Sequence, residues 1–191
     1  KVVELPGFRK RTNWFLDHRS DLAAQMSYLT RIRSDGQKHG LRLLAIPNED
    51  RLRRLLSKML DEAEFLSPFG IRSLSAIHRD QPFVFHCDGY SNTVHYVPGE
   101  SDSHMFGGNS NWSGPIWFPI NYLIIESLHT YDQFYGDDFQ IECPTGSGTY
   151  LTLGQVADEI QRRLIGLFLP DKQGRSPCHG DDSVYAQSKN W

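Results

Sequence analysis

Cysteine is scarce in this 191-residue chain: Cys87, Cys143 and Cys178 are odd in number, widely spaced and form no CxxC pair. That pattern argues against a disulfide scaffold and a structural zinc site, and it reads as a reducing, cytoplasmic setting. A surplus of either charge is missing too. Twenty basic residues stand against 23 acidic ones for a net charge of -3, so there is no electrostatic footprint for nucleic acid or an anionic membrane. The most apolar run, Ile116 to Leu128, carries Asn121 and Glu126 and falls short of the ~20 residues that a membrane span needs. Lys1 to Glu4 lacks the basic and apolar regions of a signal peptide.

Several catalytic signatures are absent as well. PTGSGTY (144–150) is rich in glycine, but GxxxxGK[ST] is missing and no lysine follows its second glycine to reach a phosphate. No HExxH pairing and no GxSxG or QACxG context occurs, so metalloprotease and nucleophilic-triad chemistry lack a basis. His78, His86, His95 and His104 lie close in sequence, and a hairpin would set His86 beside His95 on strands ~4.8 Å apart. A metal would still need a third ligand from His104 or Asp102. Surface or hydrogen-bonding histidines are the simpler reading, and neither a metal nor a cofactor is expected.

What the chain does have is a glycine- and asparagine-rich segment running into an apolar helix, Met105 to Ile125, with Trp112 and Trp117, two of four tryptophans. Gly107, Gly108 and Gly114 allow backbone geometries that other residues resist. Pro115 suits a first helical turn, so a long helix is expected from about Pro115 to Tyr135, with Trp117, Ile120, Ile124, Leu128, Tyr131 and Tyr135 in one stripe and Leu123 and Phe134 beside it. Three further helices are expected. Pro6 opens one to about Arg19, with Phe8, Thr12, Phe15 and Leu16 as a buried stripe. A second starts at Asn48, with Leu52, Leu55, Leu56, Met59 and Leu60 inward and a solvated basic face. The last begins at a Thr152/Gln155 capping box and runs to about Phe168, with Leu153, Val156, Ile160, Leu164 and Leu167 inward and Asp158/Arg162 and Glu159/Arg163 as outward pairs.

Between these helices, SDGQKHG (34–40) is turn-like and Leu41 to Ile46 is a short apolar lead into Pro47. Residues 65–114 form a long connection in which PFVFHC and NTVHYV flank Asp88-Gly89 and predict an inserted β-hairpin near 82–97. No free-standing element is expected after Asp171. Long helix, long loop, long helix is the pattern of an array of helical hairpins, and the fold class is mainly α.

Indole faces suit the C–H face of a sugar ring, and Asn, Arg and Asp side chains suit its hydroxyls. Glu100, Asp102, Asp137, Asp138 and Glu142 sit on loops expected to border the tryptophan segment, and paired acids are what glycoside hydrolysis needs. A neutral oligosaccharide or glucoside is the expected partner.

EFLSPFGIRSLS (64–75), PGES (98–101), FGGNSNWSGPIWFPINYLIIESL (106–128) and YGDDFQIECPTGSG (135–148) together resemble glycoside hydrolase family 63, in its bacterial and fungal α-glucosidase-like branch. The resemblance implies an (α/α)6 barrel and inverting hydrolysis of a terminal α-glucosidic bond. It also implies that residues 1–191 are one internal barrel segment, cut at both ends and inactive alone, with the general acid before Lys1 and the general base after Trp191. Pocket-wall roles fall on Asn111, Trp112, Trp117 and Asn121, with Arg72 and Glu100 at matching family positions. Ser113 stands where the family's WRGP motif has arginine. A non-catalytic helical scaffold or carbohydrate-binding protein is the alternative.

Overall fold

A computed structural model describes residues 5–23, 27–32, 38–102, 111–180 and 182–186. The chain divides into two compact units, Lys1–Leu55 and Leu56–Trp191. Its described part is mainly α, with small two-stranded antiparallel sheets.

The first unit opens with α1 (Pro6–His18), which carries its proline in the first turn, followed by the four-residue α2 (Ser20–Ala23). The expected stripe on α1 is not buried: Phe8 is 47% exposed and Thr12, Phe15 and Leu16 are only half-buried. Its partner α2 is too short to cover three turns. β1 (Ser27–Ile32) and β2 (Lys38–Ala45) form an antiparallel pair, so Leu41–Ala45 is the larger part of a strand and not a lead-in.

Helix α3 (Glu49–Met59) spans the division between the units. Asn48 caps it as expected, its side chain accepting from the Arg51 amide at 2.9 Å. Leu52, Leu56 and Leu60 are buried at four-residue spacing, whereas Leu55, expected inward, is exposed because it lies a quarter-turn off that line.

The second unit builds on short hairpins and two long helices. β3 (Leu66–Ser67) and β4 (Gly70–Ile71) make a tight turn, and β5 (Phe83–Cys87) and β6 (Tyr90–Val94) form the expected hairpin around Asp88-Gly89. Asp88 and Gly89 both have positive φ, as that two-residue turn requires. Its register sets His86 opposite Ser91, to which its ring is hydrogen-bonded, and not beside His95.

Helix α4 (Phe118–Tyr135) begins three residues later than Pro115, because Ile116 is held extended in a bridge to Arg72, and Pro119 occupies the first turn instead. Its buried face is Asn121, Ile125, Leu128, Phe134 and Tyr135. Ile120, expected in the packed stripe, and Leu123, expected beside it, are 40% and 58% exposed. The apolar girth of α4 left its phase undetermined in sequence, and the polar Asn121 turned out to mark the inward side.

Next come β7 (Gln140–Glu142) and β8 (Tyr150–Thr152), then α5 (Leu153–Gly166), which packs on α4. The Thr152/Gln155 capping box is present in both directions. Leu153, Val156, Ile160 and Leu164 are buried as expected, and each fully buried side chain contributes about 1.5–3 kcal/mol. Arg163 corrects the outward reading: it is 8% exposed and bonds Glu159, Glu62 and the Ser67 carbonyl. Arg162 pairs with Glu159. The short α6 (Ser183–Ala186) closes the described chain.

The glycine loop between β7 and β8 holds an anion after all, the chain's own. Glu142 accepts from the Gly146 and Gly148 amides at 2.8 and 2.5 Å, which holds its carboxyl below the usual range. Glu159 is shifted the same way, chiefly by its hydrogen bonds to Arg162. A carboxylate whose folded pKa is depressed adds stability above its unfolded value and loses it as pH falls through the folded one. Thermal stability should therefore hold from neutral pH to about 5 and fall below about 4. Glu142→Gln should flatten part of that acid limb, and a midpoint independent of pH down to about 3 would contradict the assignment.

Candidate functional site

Three strands of backbone converge ahead of α4. Ser73 is the rivet: its amide donates to the Pro115 carbonyl, its hydroxyl donates to the Trp112 carbonyl, and the same oxygen accepts from the Gly114 amide, each at 3.1 Å. Val97 donates to the Ser113 carbonyl at 2.6 Å, which stitches the end of the β6 segment to the tryptophan segment. Gly114 has φ +134, and a Cβ there would sit 2.5 Å from the Tyr96 ring, so the backbone lies flat on an aromatic face. Arg79 covers that ring at 5.0 Å from its centroid.

This scaffold presents an open concavity of about 560 Å³, walled by Gly99, Glu100 and Ser101 on one side and by Asn111 and Pro115 to Phe118 on the other. Trp117 lines it directly. Trp112 stacks on Trp117 with centroids 4.4 Å apart and planes 7° apart, so one face of each indole is taken by the other. Trp112 remains 40% exposed. The Trp117 ring N–H donates to the Asn111 carbonyl at 2.8 Å, which fixes the ring's rotation.

The six candidate residues thus fall into two layers. Glu100, Asn111 and Trp117 line the concavity, with Trp112 stacked beside them. Asn121 and Arg72 are behind it. Asn121 is 1% exposed and copies a strand partner: its Oδ1 accepts from the Ile71 amide at 2.7 Å and its Nδ2 donates to the Ile71 and Trp117 carbonyls at 3.0 Å. Arg72 donates to the carbonyls of Glu62, Glu64 and Leu66. Gly107, Gly108 and His104 lie outside the described residues.

The acids expected around the tryptophans do not assemble there. Asp137, Asp138 and Glu142 follow the far end of α4, whose 18 residues span roughly 27 Å from the indoles. Asp102 is on the near side but is bonded to His95 at 2.8 Å. Among the described residues, Glu100 is left as the carboxylate on the concavity. Sequence reading missed Ser73 and Tyr96, and the signal that could have found Tyr96 is Gly114, whose absent Cβ implies a flat partner.

The sequence model of the glycosyl hydrolase family 63 C-terminal domain matches residues 40–143, a span that contains every residue of the concavity. This chain belongs to glycosyl hydrolase family 63. The family 63 chain is 46% identical over 188 residues to an uncharacterized protein of Saccharomyces cerevisiae, covering 98% of this chain and 17% of the relative. A probable mannosyl-oligosaccharide glucosidase of Schizosaccharomyces pombe is 38% identical over 79 residues, which is 41% of this chain and 7% of that protein. The chain therefore spans less than a fifth of the length of either relative. No solved structure matches it. The resemblance seen in the FGGNSNWSGPIWFPINYLIIESL phrase is thus borne out at family level. Among the described residues, no helix is long and apolar enough to cross a membrane, and no group of three metal-ligating side chains occurs.

Proposed function

We propose that this chain is one wall of the sugar pocket in a longer family 63 glycosidase that hydrolyses terminal α-glucosidic bonds with inversion. The observation that carries this is the concavity itself, where an indole platform meets a carboxylate with no cation among the described lining residues. A neutral hexose fits such a lining, its C–H face on the ring and its hydroxyls toward the acceptor. Similarity to a probable mannosyl-oligosaccharide glucosidase of Schizosaccharomyces pombe supports glucose as that hexose.

Inverting hydrolysis needs two carboxyl groups roughly 6.5–9.5 Å apart, one protonating the leaving oxygen and the other activating water. Glu100 alone cannot do both, so the acid and base belong to other parts of the longer protein. In this reading α4 and α5, packed together and joined through a β-hairpin, are one helical pair of an (α/α)6 barrel, and residues 1–191 make one segment of it. The same single carboxylate also favours a second reading, a carbohydrate-binding protein without hydrolysis.

Trp117→Ala in the full-length protein should lower kcat/KM on an α-glucoside about fivefold or more, since loss of a stacking ring costs on the order of 1 kcal/mol. Trp117→Phe should recover part of it. An unchanged kcat/KM removes the indole from the pocket, and a wild-type protein that binds glucosides without turnover selects the second reading.

A further inference from the structure

We propose that Asn111 is the positioning residue of this pocket and Glu100 the group it positions, so that Asn111 acts on a sugar through Glu100 and Trp117 without touching it. The inference rests on the sugar-pocket reading above. It starts from how Asn111 is used. Its amide has two N–H bonds, and they go to the carbonyls of Val97 at 2.6 Å and Gly99 at 2.7 Å. Its side-chain oxygen accepts from the Ser113 amide at 2.8 Å, and its main-chain oxygen accepts the Trp117 ring N–H at 2.8 Å. Asn111 is therefore a cross-brace with no side-chain donor left over: one end grips the loop that carries Glu100, the other orients the indole that lines the same concavity.

The loop is closed at its outer end by His95 and Asp102, bonded at 2.8 Å, and at its inner end by the Val97 amide on the Ser113 carbonyl. Glu100 lies between these ties. No hydrogen bond or ion pair with a described residue engages its carboxylate, although the backbone around it is held at several points. A carboxylate on a tied loop, without a partner among the described residues, offers two oxygens to a pair of neighbouring hydroxyls, and a charge-assisted bond to a hydroxyl is the strong kind. Vicinal hydroxyls of a neutral hexose are the matching chemistry, and an anionic sugar would be repelled.

The test is calorimetric titration of the full chain with methyl α-D-glucopyranoside, using wild type, Glu100→Gln, Asn111→Asp and the double variant. Asn111→Asp keeps the shape and the bond from the Ser113 amide but points an oxygen at two carbonyl oxygens. Each single change should weaken binding about tenfold, with the unfolding temperature of Glu100→Gln unchanged. The double variant should bind no worse than the weaker single, because both changes remove one interaction. Multiplying effects, or an Asn111→Asp loss under about threefold, would overturn the proposal. Where Asn111→Asp does not fold, Asp102→Ala releases the exposed end of the same loop; weakened binding there supports the proposal and unchanged binding overturns it. Trp117→Ala separates the two levels: if it abolishes binding while Asn111→Asp does not, the pocket stands and this inference falls. A wild-type chain that leaves the glucoside unbound overturns both.

Discussion

Arg163→Ala should lower the unfolding free energy of this chain by about 3 kcal/mol. Arg163 is 8% exposed on α5, and three of its bonds, to Glu159, Glu62 and the Ser67 carbonyl, lie between 2.8 and 2.9 Å. Breaking a buried ion pair by removing one partner costs ~3–5 kcal/mol. The lower end applies here because the Glu62 side chain is 58% exposed and can be rehydrated, while Glu159 keeps Arg162. Ser67 is 5% exposed, so its carbonyl has no such recourse. Arg163→Lys should recover less than half, since an ammonium cannot span both sides of that fork. Urea titration reads the effect as a shifted midpoint at constant slope, and a loss under about 1 kcal/mol would show that the network is dispensable.

Gly70→Ala should be nearly as damaging and should reach the pocket as well. At φ +126, a Cβ on residue 70 would meet Leu164 Cδ2 at 2.8 Å, Asn121 Oδ1 at 3.0 Å and Ile116 Cγ2 at 3.3 Å. Overpacking of this kind costs ~1–3 kcal/mol, and the backbone strain adds about 1–2 more. Asn121 Oδ1 is the acceptor for the Ile71 amide, so displacing it loosens the brace that also holds the Trp117 carbonyl. The expected readouts are a lower unfolding temperature and faster hydrogen exchange at the Ile71 amide. Gly166→Ala, where a Cβ meets nothing within 4 Å, is the control and should be neutral or slightly stabilising. Equal behaviour of the two variants would mean that the crowding around Gly70 is relieved at no cost.

Local chemistry was legible in the sequence wherever a residue type has one geometric use. Asp88-Gly89 gave the hairpin, Thr152 and Gln155 gave the start of α5, and Asn48 gave the start of α3. Phase was harder. Arg163 sits three residues after Ile160 and seven after Val156, squarely on the buried stripe, and only its charge suggested the outer face. On α4 apolar residues are spread around the helix, so periodicity could not choose a side, and the informative residue was the amide of Asn121. Glu100, Asn111 and Trp117, singled out in sequence, line one concavity whose described residues lie within 20 positions of chain. The acids of 137–142 were misplaced because proximity in sequence was taken for proximity in space, when a five-turn helix stands between them and the indoles.

The near-parallel indoles of Trp112 and Trp117, 4.4 Å apart, have an optical consequence. Transition dipoles that close share their excitation, so the pair should give a split circular-dichroism couplet that isolated tryptophans do not. The pocket thus carries its own spectroscopic gauge: a ligand that wedges or tilts either ring would change the couplet without any label being attached.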